Sequence, residues 1–100
     1  MDITITDELL EYMTRKKKSV IALEVMGSDR SDFEYVELYV HFLYDRQVEY
    51  FVNKKHFRRF DVGNVIVLLP NYKLSYQKKL EFFLQKKWYG YAIGYNGVEL

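Results

Sequence analysis

Ile3 and Ile5 alternate with Thr4 and Thr6, the two-residue period of a short strand. A helix is predicted directly after it. Thr6 is a capping residue, Asp7 and Glu8 lie where the positive end of the helix dipole favours carboxylates, and Leu9, Leu10 and Met13 supply an apolar face. Arg15, Lys16, Lys17 and Lys18 fall at the C-terminal end, where the same dipole favours cations. That placement accounts for the basic run without a nucleic-acid site. Val20 to Met26 is short, rich in β-branched residues and closed by Gly27, so it reads as a strand, followed by a polar loop from Gly27 to Asp32.

From Glu34 to Tyr44 the alternation is clearest: Val36, Leu38, Val40 and Phe42 on one face, Tyr35, Glu37, Tyr39, His41 and Leu43 on the other. Asp45-Arg46 predicts a tight turn and Val48 to Val52 the returning strand of a hairpin. Gly63-Asn64 marks a turn before the strand Val65 to Leu69, which Pro70 ends. Residues 78–88 are undecided by period alone: Leu80, Phe83, Leu84 and Trp88 could line a helix, whereas Leu80, Phe82 and Leu84 could line one face of a strand. Tyr89 to Tyr95 reads as extended, and Asn96-Gly97 signals a final reversal.

The length of 100 residues suits one domain with one core, and no repeat or linker divides it. Ten Tyr, seven Phe and one Trp require a core built largely of rings, and with one Pro and five Gly they favour strands. There is no cysteine, hence no disulfide framework. The N-terminus lacks the basic start and apolar run of a signal peptide, and the longest apolar stretch, Val65 to Leu69, falls far short of the ~20 residues that cross a bilayer as a helix. A cytoplasmic protein with no membrane association is therefore expected. Net charge is +1, yet residues 1–50 carry net −5 and residues 51–100 net +6. Halves that interleave in one fold would cancel; halves that do not would leave a bipolar surface for a partner.

Two stretches carry a family likeness. The opening Ile3-Thr4-Ile5-Thr6-Asp7-Glu8 pairs a strand with an acidic helix start. Leu80-Glu81-Phe82-Phe83 is followed by Gly90-Tyr91-Ala92-Ile93 and then Asn96-Gly97-Val98, and between the two stretches lies the valine-rich Val65-Ile66-Val67. This order resembles the HesB-like family, which includes the A-type iron–sulfur carriers. The resemblance implies an α+β fold: a compact β-rich domain of two packed, mixed sheets with one N-terminal helix, in which residues 80–95 are strands. It also locates a departure. The carriers hold a ligand cysteine in the loop that here runs from Gly27 to Ser31, and a Cys-x-Cys pair in a tail that has no counterpart after Val98-Glu99-Leu100. Soft metal centres need soft ligands, so cluster transfer is not expected to accompany the fold, and no cofactor is expected.

The remaining chemistry is sparse. His41 shares a strand face with Glu37 and Tyr39, but positions four apart on a strand are ~13 Å apart, so Glu37 cannot reach it. Two histidines, His41 and His56, fall short of a zinc ligand set. Asp29, Asp32 and Glu34 lack the spacing of a calcium loop, and Ser28 and Ser31 lack an activating base. The strongest signal is Lys54-Lys55-His56-Phe57-Arg58-Arg59-Phe60, preceded by Tyr50 and Phe51. Cations neutralise phosphates and rings stack on bases, so Lys54, Lys55, Arg58 and Arg59 are the candidate contacts for a partner or a single-stranded nucleic acid. Lys78-Lys79 and Lys86-Lys87 could extend that patch. The bland alternative is a connection that Phe57 and Phe60 anchor while its charges face water. The expected function is a non-enzymatic binding or protein-interaction module, monomeric or homodimeric, with nucleic-acid binding as the alternative.

Overall fold

The computed structural model describes residues 2–28 and 35–99. It is an α+β fold, mostly strands in two mixed sheets, with two short helices. Strand β1 (Asp2–Ile5) leads into helix α1 (Asp7–Arg15), followed by β2 (Val20–Ser28) and β3 (Tyr35–Leu43). A 3₁₀ turn over Asp45–Gln47 enters helix α2 (Val48–Asn53), and β4 (Arg58–Val62), β5 (Val65–Leu69), β6 (Ser75–Lys87) and β7 (Gly90–Glu99) complete the chain.

Helix α1 begins as its sequence dictates, with the Thr6 hydroxyl accepting from the Leu9 N–H at 3.4 Å. Its end is a Schellman closure. The Lys18 N–H reaches the Met13 carbonyl at 2.8 Å, the Lys17 N–H reaches Thr14 at 3.3 Å, and Lys17 takes the left-handed conformation, φ 55°.

The three-stranded sheet has the order β1-β6-β7, with β1 parallel to β6, and the four-stranded sheet β3-β2-β5-β4, with β2 parallel to β5. The alternation of β5 divides the interior. Val65, Val67 and Leu69 face the main core, where they meet Leu9 and Met13 of α1, Ile21 and Leu23 of β2, and Leu80 and Phe82 of β6. Leu68, with Ile66 beside it, faces a second cluster in which Val20, Ala22 and Leu43 are covered by Val48 and Phe51 of α2. The four-stranded sheet is thus the middle layer, with α1 and the smaller sheet on one side and α2 on the other.

Several expectations are corrected. Val48 to Val52 is not a returning strand: Val48, Phe51 and Val52, spaced three and four apart, all pack on the second cluster, and burying that helical stripe outweighs the strand propensity of the segment. The predicted tight turn is the 3₁₀ turn, fixed by the Tyr44 N–H donating to Gln47 Oε1 at 2.8 Å. Among the described residues there are therefore two α-helices rather than one. Residues 78–88 resolve as strand as far as Lys87, with Leu80 and Phe82 buried on one face. Asn96-Gly97 does not reverse the chain; β7 runs through it, opposite a register shift between Tyr76 and Glu81. Gly97, at φ 100°, lets the strands close there, because a Cβ at this position would lie 2.0 Å from the Lys79 carbonyl oxygen. Asp29, Ser31, Asp32 and Glu34 lie outside the described residues, as does most of the loop in which the resemblance puts a ligand.

Candidate interaction surface

The four cations singled out in the sequence do not form one patch. Lys54 follows α2 and is exposed, its N–H bonded to the Tyr50 carbonyl at 2.8 Å. Lys55 is engaged: its Nζ lies 3.5 Å from Glu24 Oε1 and 4.4 Å from the Phe51 ring centroid. Phe57 is half-buried against the second cluster and meets Phe51 edge-on at 5.0 Å. Strand alternation then sends Arg58 and Arg59 to opposite faces of β4. Arg58 lies over Phe60 and Tyr76, at 5.7 and 5.9 Å, while Arg59 pairs with Asp61 at 3.2 Å beside the hollow next to α2.

Where sequence spacing excludes Glu37 as a contact of His41, the strand pairing supplies Glu24. β2 and β3 pair Ala22 with His41 and Glu24 with Tyr39, so the three polar side chains share one face. His41 Nε2 contacts Glu24 Oε2, the Tyr39 hydroxyl donates to the same oxygen at 3.2 Å, and the Tyr39 and His41 rings stack at 4.6 Å. With Lys55 on its other oxygen, the Glu24 carboxylate meets three side chains while only 15 % exposed. Burial, and then the neighbouring carboxylate, raise the Tyr39 pKa. This arrangement ties the segment after α2 to the middle sheet. Three hollows lined by described residues lie elsewhere. Among the described residues no group of three or more acidic, histidine or cysteine side chains could hold a metal ion.

A different surface joins residues the sequence keeps far apart. β6 is 13 residues long and, paired with β7, runs on into an arm whose residues 85–91 are all exposed. Lys87 pairs with Gly90, leaving Trp88 and Tyr89 as a two-residue loop. Such loops favour Asn and Gly, which accept positive φ. Here the loop holds two aromatic residues, and Gly90, at φ 139°, takes the unusual backbone instead. Trp88 is 95 % exposed and its ring stands edge-on to Tyr89 at 5.4 Å. Down the arm, Lys86 pairs across the strands with Tyr91. Tyr91 in turn meets Tyr12 of α1 at 5.5 Å, and Arg15 and Lys16 each lie 5.9 Å from the Tyr12 ring centroid. Beneath them an open hollow of about 460 Å³ is lined by Glu8, Glu11, Arg15, Leu84, Lys86 and Tyr91.

The sequence reading explained Arg15 and Lys16 by the helix dipole alone, named Lys86 and Lys87 only as an extension of the patch at 54–60, and missed Tyr12, Trp88, Tyr89 and Tyr91 as surface groups. The available signal was a Trp-Tyr pair followed by Gly90 between two strand-like runs. The chain matches no family model, and no curated protein or solved structure gives a match. No helix among the described residues is long and apolar enough to cross a membrane.

Proposed function

We propose that the chain is a non-enzymatic binding module on a HesB-like fold that has lost iron–sulfur ligation, and that it binds through the face shared by α1 and the β6–β7 arm. The observation that carries this reading is Trp88, the single tryptophan, held 95 % exposed at the tip of the projecting arm. Exposing large apolar rings together at a projecting tip is unfavourable in an isolated domain, and clustered exposed apolar surface concentrates at interaction sites. Trp and Tyr are also the side chains that most often anchor interfaces. The HesB-like part rests on the sequence likeness of Ile3 to Glu8 and of Leu80 to Val98. The absence of cysteine from the sequence supports the lost ligation.

Placing an aromatic photo-crosslinking residue, which keeps a ring at the tip, at position 88, and the same residue as a control at Tyr72, which is also exposed, tests the surface in cells. Discrete adducts from position 88 that disappear when Lys86 and Tyr91 are replaced by Ala are expected. Equal yields from both positions would contradict the reading.

A further inference from the structure

We infer that the occupant of this face is a single-stranded nucleic acid, held by base stacking on the arm's rings and by phosphate contacts to Arg15, Lys16, Lys86 and Lys87; the inference rests on the binding surface proposed above. Two features of the surface select this partner. The first is the interleaving of cations with rings across two elements. Tyr12 lies beside Arg15 and Lys16, Tyr91 is paired with Lys86, and Trp88 and Tyr89 follow Lys87. Bases offer a stacking face whatever their identity, and the backbone that joins them is a row of negative charges, so alternating rings and cations match both components.

The second feature is the kind of cation. Protein interfaces enrich aromatic residues and Arg but deplete Lys, whose ammonium is compact and strongly hydrated. Three of these four cations are Lys, a composition that suits a phosphate backbone better than an apolar protein patch. A duplex hides its base faces in the stack, so rings at the tip of a narrow arm engage unpaired bases. Glu8 and Glu11, which precede Arg15 on α1 and line the same hollow, repel phosphates, which directs the strand to the C-terminal end of α1 and to the arm. The segment carrying Lys54, Lys55, Arg58 and Arg59 is not part of this interface: Lys55 and Arg59 face carboxylates, and Arg58 lies over Phe60 and Tyr76.

Anisotropy of a labelled oligothymidylate and of a labelled oligouridylate, titrated with the full chain at several salt concentrations, tests the inference and separates DNA from RNA. Four phosphate contacts predict a slope of log K against log salt of about −3, and K86A/K87A should flatten it by about 1.4. Trp88→Ala should weaken binding roughly 10- to 100-fold, while R58A/R59A leaves the slope unchanged. In the wild type, the emission of the one tryptophan should be quenched as either oligonucleotide binds. No anisotropy change with either strand at low salt would overturn the inference. So would binding that Trp88→Ala leaves intact, or Trp88 quenching by a polyglutamate peptide but by neither oligonucleotide. If position 88 still gives specific adducts in cells while both strands fail to bind, the nucleic-acid partner falls and the binding surface stands; if both tests fail, both readings fall.

Discussion

Tyr12 of α1 and Tyr91 of β7 meet with ring centroids 5.5 Å apart and planes tilted by 55°, which joins the helix to the projecting arm. Tyr12 also lies 6.3 Å from Phe42 of β3, so the contact is backed by the middle sheet. Aromatic pairs contribute about 0.5–1.5 kcal/mol beyond the area they bury. A double-mutant cycle with Y12A and Y91A, read by denaturant midpoints, should return a coupling in that range. Strictly additive effects would mean that helix and arm are not coupled through these rings.

Glu24 is the acceptor on which Tyr39, His41 and Lys55 converge. The partners are each about a third or more exposed and can turn to water, so Glu24→Ala should cost about 0.5–1.5 kcal/mol in urea unfolding. An unchanged midpoint would show that the cluster contributes nothing to stability.

The alkaline limb of stability follows from two tyrosines. Tyr39 has a raised pKa because burial and then Glu24 disfavour its charged form, and Tyr76 because burial outweighs the opposing Arg58 guanidinium. A raised folded-state value means that the folded chain holds the proton more tightly than the unfolded chain. The stabilisation is complete below the ordinary tyrosine value of 10.0 and is lost as pH rises through the folded-state values. Stability should therefore fall above that pH, and less steeply in a Y39F/Y76F variant. Parallel alkaline limbs for variant and wild type would contradict this assignment.

Two glycines in β7 should respond differently to alanine. A Cβ at Gly94 would meet the Phe83 ring at 2.2 Å, and the ring can turn aside, so G94A should cost about 1 kcal/mol. At Gly97 the obstacle is the Lys79 carbonyl oxygen and the backbone has φ 100°, so G97A should cost about 2 kcal/mol or more. The reverse order in thermal melts would show that the strands are not closely paired at Asn96-Gly97.

Much of this fold is legible along the chain because local and tertiary preferences agree there. Thr6 caps α1, Leu9 and Met13 are buried, and Val65 to Leu69 forms a central strand. Val48 to Val52 is misread because its β-branched and aromatic residues favour a strand in isolation, whereas the second core selects the helical spacing of Val48, Phe51 and Val52. Asn96-Gly97 carries a hairpin signal that β6, pairing on both sides of it, converts into an irregularity within a strand. The site was the least legible part. The run from Lys54 to Phe60 is contiguous in sequence but divided in space by the alternation of β4. Tyr12, Arg15, Lys86 and Tyr91 are separated in sequence and meet only through the pairing of β6 with β7 and the packing of α1 against them.

Amide chemical-shift mapping with a short oligothymidylate tests the central claim most directly, because it reports every element at once. The account predicts saturable shifts for the backbone of residues 85–91 and the C-terminal half of α1, with β4 and the segment after α2 unmoved. Shifts concentrated at residues 54–60, or none anywhere at low salt, would contradict it.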